Sequence, residues 1–224
     1  MSRPLAIDLF CGLGGWTEGL LAEGWDVVGF DIEQHVYGEH RYPAQLVVQD
    51  VRTLHGSQFK KARLIVASPP CQAYSFMAMP WSLGKAKAAA IRADATGAEL
   101  ARLNELFNEC FRIQREASAA AGRHIPMIVE NVRGAQPWVG RARWTYGSFA
   151  LWGDVPALMP PQTMEGTKQG GDWFAEARKG GVGGTSASFG STSPARKFAS
   201  AMIAKIPLPL SRHIGRMFIS EIEG

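Results

Sequence analysis

The sequence predicts an α/β fold: an open, mostly parallel sheet with helices on both faces. Three observations predict it. Short apolar runs alternate with stretches of helical periodicity through the first half of the 224 residues. A polar or conformationally special residue closes each run in turn, namely Cys11, Asp31, Asp50, Cys71 and Glu130. A glycine-rich turn separates the first run from the first helical stretch. Strand, crossover helix and strand repeated in this way build a doubly covered sheet, whose ligands bind at the carboxyl ends of the strands.

The elements follow in order. Leu5 to Phe10 is a short apolar strand ending in Cys11-Gly12-Leu13-Gly14-Gly15. Trp16 to Glu23 has apolar residues at helical spacing, with Gly24 as its C-cap. Trp25 to Phe30 is a second strand, closed by Asp31-Ile32-Glu33, and Gln45 to Val48 a third, followed by Asp50. Arg63 to Ala67 is a fourth and runs into Ser68-Pro69-Pro70-Cys71. A long helical stretch over about 95–121 precedes the fifth strand, Pro126 to Val129, which ends at Glu130-Asn131. Tyr146 to Trp152 supplies one or two further strands. Residues 160–194 are rich in Gly, Ser, Thr and Pro, a composition of loops. Helical patterning returns over 195–222, around the break Ile206-Pro207-Leu208-Pro209.

Composition narrows the classes. Hydrophobic residues at 46% and charged residues at 20% suit a soluble globular chain with a substantial core. No apolar stretch approaches the roughly 20 residues that span a bilayer. Asp8 interrupts the first apolar run too early for a signal peptide, so a cytoplasm-like compartment is expected. Three widely spaced cysteines form neither a CxxC metal pair nor a disulfide framework, and no metal site is expected. One is a candidate for chemistry; the other two are expected to be buried apolar residues. A net charge of +4 tilts the protein only weakly toward polyanions.

Three segments carry chemistry. In Asp8-Leu9-Phe10-Cys11-Gly12-Leu13-Gly14-Gly15 the glycines let backbone approach a ligand, and the helix start that follows offers unpaired N–H groups. Taken alone, this turn fits a nucleotide, a dinucleotide, S-adenosylmethionine or a purely structural role. Asp31, ending the second strand, is placed for ribose hydroxyls, and the two together favour an adenosine-containing cofactor. In Ser68-Pro69-Pro70-Cys71-Gln72 two prolines fix the chain, so Cys71 is presented in a rigid turn after a strand. Glu130, ending a buried strand before Asn131-Val132, is a candidate proton donor with a raised pKa, or else a structural carboxylate.

These segments resemble the DNA cytosine-5 methyltransferase family, whose signature is the DLFCGxGG turn, the PPCQ loop and the ENV acid, in this order. The resemblance covers about residues 5–152. It implies a Rossmann-like class I fold that uses S-adenosylmethionine and methylates a cytosine flipped out of double-stranded DNA. Cys71 would be the nucleophile adding to carbon 6, and Glu130 would hold ring nitrogen 3. Phe10 would stack near the adenine, with Gly12 and Gly14 lining the methionine end. Asp31, where the family more often has Glu, would hold the ribose, and Ile32 would flank the adenine. Asp50 would meet the adenine amino group, Val51 counts with it as a cofactor contact, and Pro70 would face the cofactor. Residues 72–92 would form the closing loop, with Gln72, Ser75, Lys85, Lys87 and Arg92 as DNA contacts; a solvated basic helix face explains the last three as well. The family's QxRxR element is reduced to Val139-Gly140-Arg141-Ala142-Arg143, which makes Arg143 the expected cytosine contact and Arg141 its support.

The resemblance divides the chain into a catalytic domain over 1–152, a small target-recognition region over 153–194, and a C-terminal helix over 195–224. The family's late Gly-Asn element is not evident near Ser211-Arg212-His213-Ile214-Gly215. A reader this small, with Lys168, Trp173, Arg178 and Lys179, implies a short target sequence and a compact, phage-like enzyme, expected to act as a monomer. Three other readings remain open: a cytosine-5 methyltransferase acting on RNA or a free nucleotide, a non-catalytic DNA-binding homologue, and a generic Rossmann-like nucleotide enzyme.

Overall fold

The computed structural model describes residues 2–72, 74, 81–160 and 194–223. Its centre is a seven-stranded sheet. The strands are β1 (Leu5–Leu9), β2 (Asp26–Asp31), β5 (Gln45–Val48), β6 (Leu64–Ala67), β7 (Met127–Val132), β8 (Trp144–Tyr146) and β9 (Phe149–Gly153). They lie in the order β5-β2-β1-β6-β7-β9-β8. The first five are parallel, while β9 runs antiparallel to both β7 and β8. Chain order reverses between β1 and β6, so the crevice beyond their carboxyl ends is where such a sheet opens to a ligand.

Alternation along the central strands explains why both faces are covered. Ile7, Leu9, Ile65, Ala67, Met127 and Val129 meet the apolar stripe of α4 (Glu105–Ala121), made by Phe107, Cys110, Ile113 and Ala117. Ala6, Leu64, Val66 and Ile128 meet Trp16 and Leu20 of α1 (Gly15–Ala22). The same layer takes Leu210, Ile214 and Phe218 of the C-terminal α7 (Leu208–Glu223). Burying side chains of this size stabilises by about 1.5–3 kcal/mol each.

Helices α1 and α7 touch closely because Gly19 has no side chain. A Cβ there would lie 2.1 Å from the Ser211 hydroxyl oxygen. Across the same contact Glu23 accepts from Arg212 at 2.7 Å, and the Trp25 indole N–H donates to the Gly215 carbonyl at 3.0 Å. The Arg216 guanidinium, ahead of burial, holds the Glu23 carboxyl below its ordinary value.

The expected α/β sheet is present, with three differences. The long helix over 95–121 is two helices, α3 (Ala98–Leu103) and α4, because Asn104 between them leaves helical geometry at φ −94°, ψ 2°. Its buried side chain bonds elsewhere, an option open to Asn that disfavours helix interiors. The stretch 72–92, expected as a loop, contains α2 (Trp81–Ala93). A small hairpin of β3 (Val36–Tyr37) and β4 (His40–Arg41), turning at Gly38 with φ 61°, was not expected. The C-terminal break falls where Pro207 and Pro209 predict it, between α6 (Pro194–Ala204) and α7. The remaining short helix, α5, spans Gln136–Val139.

Candidate active site

Beyond the carboxyl ends of β1, β2, β6 and β7 lies a cleft of about 720 Å³. Phe10, Gly12, Asp31, Ile32, Asp50, Val51, Pro70, Cys71, Gln72 and Glu130 all line it. One arm is built from β1 and β2. Phe10 ends β1 with φ 57°, a left-handed conformation costly for a side chain this large, and so turns the chain into the glycine segment. Gly12 also has positive φ, and a Cβ placed on it would meet nothing within 4 Å, so its bare backbone faces open space. The Gly12 N–H donates to Asp31 Oδ2 at 2.9 Å, tying the turn to the end of β2. Burial raises the Asp31 carboxyl, but His35 and the Gly12 N–H outweigh that and leave it below its ordinary value. His35 Nε2 lies 3.6 Å from Asp31, and that contact lifts the imidazole above its usual range. Asp50 accepts from the Arg52 backbone N–H at 2.9 Å and from its guanidinium at 2.6 Å.

The other arm carries Cys71. Asn131, buried at the end of β7, donates from Nδ2 to the Pro69 carbonyl at 2.9 Å, while its Oδ1 accepts from the Val132 N–H at 2.8 Å. The Trp16 indole N–H donates to the Ser68 hydroxyl at 3.0 Å. Beyond Cys71, the Tyr74 N–H donates to the Cys71 carbonyl at 3.0 Å. Cys71 is half-buried, whereas Cys11 and Cys110 are buried. Burial pushes both of those thiols far up, so they stay protonated and apolar in character. Glu130 is buried at 6% exposure and reaches the same cleft.

Some predicted residues are elsewhere. Gly14 does not line the cleft; Pro43 fills the space beside it, 2.4 Å from where a Cβ would stand. Arg141 is exposed and also absent from the lining. The Arg143 backbone N–H donates to the Leu151 carbonyl at 2.8 Å, and the residue lines a separate depression with His124, Pro126 and Asp154. That depression includes His124 and Pro126, which precede β7. Arg92 stacks 5.2 Å from the Trp138 ring centre. Lys85 is exposed and Lys87 half-buried on α2, off the cleft wall. Ser75, Lys168, Trp173, Arg178 and Lys179 lie outside the described residues.

The sequence reading missed His35, Arg52, Ser68, Lys197 and Lys205 in the lining. His35 meets Asp31 through a bend and not along a helix, so no spacing rule announces that pair. Lys197 and Lys205 arrive from α6 and its end, because Phe198 rests on Tyr37 and His40 of the hairpin. Nothing local in the sequence announces that contact. The buried Asp8 below the glycine turn was missed too; burial lifts its carboxyl to about 7, while Thr17 donates to it at 2.7 Å.

The sequence model of the family C-5 cytosine-specific DNA methylase matches residues 5–136. The chain belongs to that family. Among solved structures, this methylase family member is similar to a protein described as a DNA modification methyltransferase encoded within an E. coli prophage. The identity is 25% and the TM-score 0.39, over 59% of this chain and 33% of that one. It is also similar to the S. pombe Dnmt2 methyltransferase, at 15% identity and TM-score 0.38, over 62% of this chain and 37% of the other. The Entamoeba histolytica methyltransferase EhMeth matches at 17% identity and TM-score 0.38, over 62% and 41%. The chain thus spans between a third and two fifths of the length of these structures. No curated protein matches it. Among the described residues no His, Cys, Asp and Glu group is arranged to hold a metal, and no helix is long and apolar enough to cross a membrane.

Proposed function

We propose that this chain transfers a methyl group from S-adenosylmethionine to carbon 5 of cytosine in double-stranded DNA, through a covalent bond between Cys71 and carbon 6. The observation that carries the reading is the single cleft that holds Cys71, Glu130, the bare Gly12 turn and Asp31 together. The cofactor fits what the first arm offers. Open space lies over Gly12, an ionised Asp31 suits a hydroxylated sugar, and Ile32, 65% exposed, is an apolar surface at the rim for a flat ring. Phe10, Asp50, Val51 and Pro70 complete the same wall. When bound, the cofactor supplies an electrophilic methyl group.

The chain's own residues do the rest. Carbon 5 of cytosine is a weak nucleophile. Addition of the Cys71 thiolate to carbon 6 moves electron density onto carbon 5, which is covalent catalysis. Glu130 holds ring nitrogen 3 and places a proton there as the ring accepts charge. Loss of the carbon-5 proton and departure of Cys71 then restore the aromatic ring. Such an attack needs the base out of the stack, at a cost of a few kcal/mol. Residues 153–194 are the segment we assign to reading the target sequence, with 1–152 as the catalytic domain.

The test is a trapping experiment with radiolabelled cofactor and duplex DNA containing 5-fluorocytosine, comparing wild type with Cys71→Ala. Fluorine does not leave as a proton does, so a labelled complex resistant to denaturation is expected from wild type alone. The variant should lose methyl transfer by at least about 10³-fold, as removal of a covalent nucleophile does. No complex on DNA of varied sequence, with transfer to tRNA or dCMP instead, replaces the duplex-DNA substrate with that one.

A further inference from the structure

The turn bearing Cys71 is held from both sides, and the second hold has no role in the chemistry described so far. Tyr74 is 2% exposed. Its backbone N–H closes the turn on the Cys71 carbonyl, and its phenol O–H faces two acceptors, the Leu103 carbonyl at 3.1 Å and Asn104 Oδ1 at 3.0 Å. Asn104 is the residue that breaks the helical stretch, and its amide nitrogen donates to the Trp138 carbonyl at 2.8 Å. The Trp138 ring in turn carries the Arg92 guanidinium from the last turn of α2. Gly134 makes room for the assembly, since a Cβ there would lie 2.7 Å from the Tyr74 carbonyl oxygen. Segments distant in sequence are therefore joined in one chain of contacts that runs from Tyr74 through Asn104 to Trp138 and Arg92.

Filling space does not require this chemistry. A phenylalanine ring would occupy the same apolar pocket, and an apolar side chain at position 104 would suit a helix interior better than Asn does. A buried polar network is worth keeping only when every member is satisfied, and it then fixes one arrangement of the segments it joins. Burial lifts the Tyr74 phenol to about 12, so it remains a donor across the neutral range.

We infer that Tyr74 and Asn104 are positioning residues for the nucleophile: their hydrogen bond sets how far the Cys71 turn projects into the cleft and links that placement to α2 through Trp138. The inference rests on the reading of Cys71 as the nucleophile. Losing the link lets the turn drift, and small displacements of a reacting group cost rate more than binding.

The experiment compares full-length wild type, Tyr74→Phe, Asn104→Ala and the double variant. The first readout is the rate at which iodoacetamide alkylates Cys71, followed by peptide mass spectrometry across about pH 6 to pH 10. It needs neither nucleic acid nor cofactor, and the other two thiols are buried. Each single variant should change that rate at fixed pH by roughly threefold or more, in the same direction. The double should change it no further than the larger single, as coupled partners do. The second readout is methyl transfer: kcat should fall roughly tenfold while KM for the cofactor stays within about twofold. Tyr74→Phe deletes one oxygen and keeps the ring, so folding is retained. Wild-type alkylation and kcat in Tyr74→Phe, with only a lowered melting temperature, overturn the inference. Absence of methyl transfer by wild type defeats the proposed function instead, and the alkylation comparison still decides the positioning role.

Discussion

On the Asp31 side of the cleft the contacts that shape the wall are short in sequence: Gly12 to Asp31 is 19 residues, Asp31 to Glu33 two, and Asp50 to Arg52 two. On the Cys71 side they are long: Asn131 reaches Pro69 across 62 residues, Trp16 reaches Ser68 across 52, and Tyr74 reaches Asn104 across 30. The first arm is a self-contained turn whose side chains grip its own backbone. The second is a junction of β6, β7, α1 and the α3–α4 break. The contrast assigns them different work. Under the proposed function, the local arm would determine whether the cofactor binds, and the distant arm whether Cys71 is aligned once it has bound.

The largest separation of these roles is expected from Asp31→Ala. It removes the charged acceptor for the Gly12 N–H and the partner of His35. Hydrogen bonds to charged groups contribute about 1.5–3 kcal/mol, which corresponds to roughly ten- to a hundredfold in Kd. Calorimetric titration with S-adenosylmethionine should show that loss, while Cys71 alkylation keeps its wild-type rate. A change in alkylation as large as the change in Kd would mean that the arms are a single unit.

The same contrast explains what the sequence made legible. Strands β1, β2, β5 and β6 were readable because apolar runs closed by a single polar residue are local patterns. Gly12, Asp31 and Asp50 of the first arm followed from the turn and the strand ends, Phe10, Ile32 and Val51 from the family resemblance, while His35 and Arg52 did not follow from either. Cys71 and Glu130 were readable as types, since two prolines before a cysteine and an acid after a buried run are unusual. What holds them was not. Asn131, Ser68 and Tyr74 act through partners dozens of residues away, and no spacing rule joins Tyr74 to Asn104. The position of Arg143 was not legible for a related reason: the direction of its loop is set by β8 pairing with β9. The Arg143 backbone N–H follows that pairing to the Leu151 carbonyl, and the residue lines a separate depression.

Asn131→Ala probes the second arm. It deletes the bond to the Pro69 carbonyl and the one from the Val132 N–H, leaving buried backbone groups unpaired at about 1–3 kcal/mol. A thermal melt should register about 2–4 °C for each kcal/mol in a chain of this size. With the fold retained, kcat should drop roughly tenfold while cofactor Kd stays near wild type. Loss of cofactor affinity with unchanged kcat would reverse the assignment of the arms.

The smallest expected effect is a pH dependence confined to the first arm. His35 is raised above its ordinary value of 6.5 by Asp31, opposed by burial, with Glu33 assisting and Lys197 opposing. Asp31 is lowered from its ordinary 3.8. A raised histidine contributes stability that is fully present below 6.5 and is lost as pH rises through its higher folded value. A lowered aspartate contributes stability that is present above 3.8 and is lost as pH falls through its lower folded value. The ion pair is therefore complete between these limits and open above them. In melts of wild type against His35→Gln, wild type should lead by a few degrees near about pH 5.5, on the scale of a pair worth about 1 kcal/mol. The lead should shrink toward zero as pH rises through the raised folded value of His35. Because Cys71 belongs to the other arm, its alkylation rate should be the same in His35→Gln and wild type at each pH. A lead that grows with rising pH would show that the imidazole stabilises the turn by a neutral hydrogen bond and not by its charge.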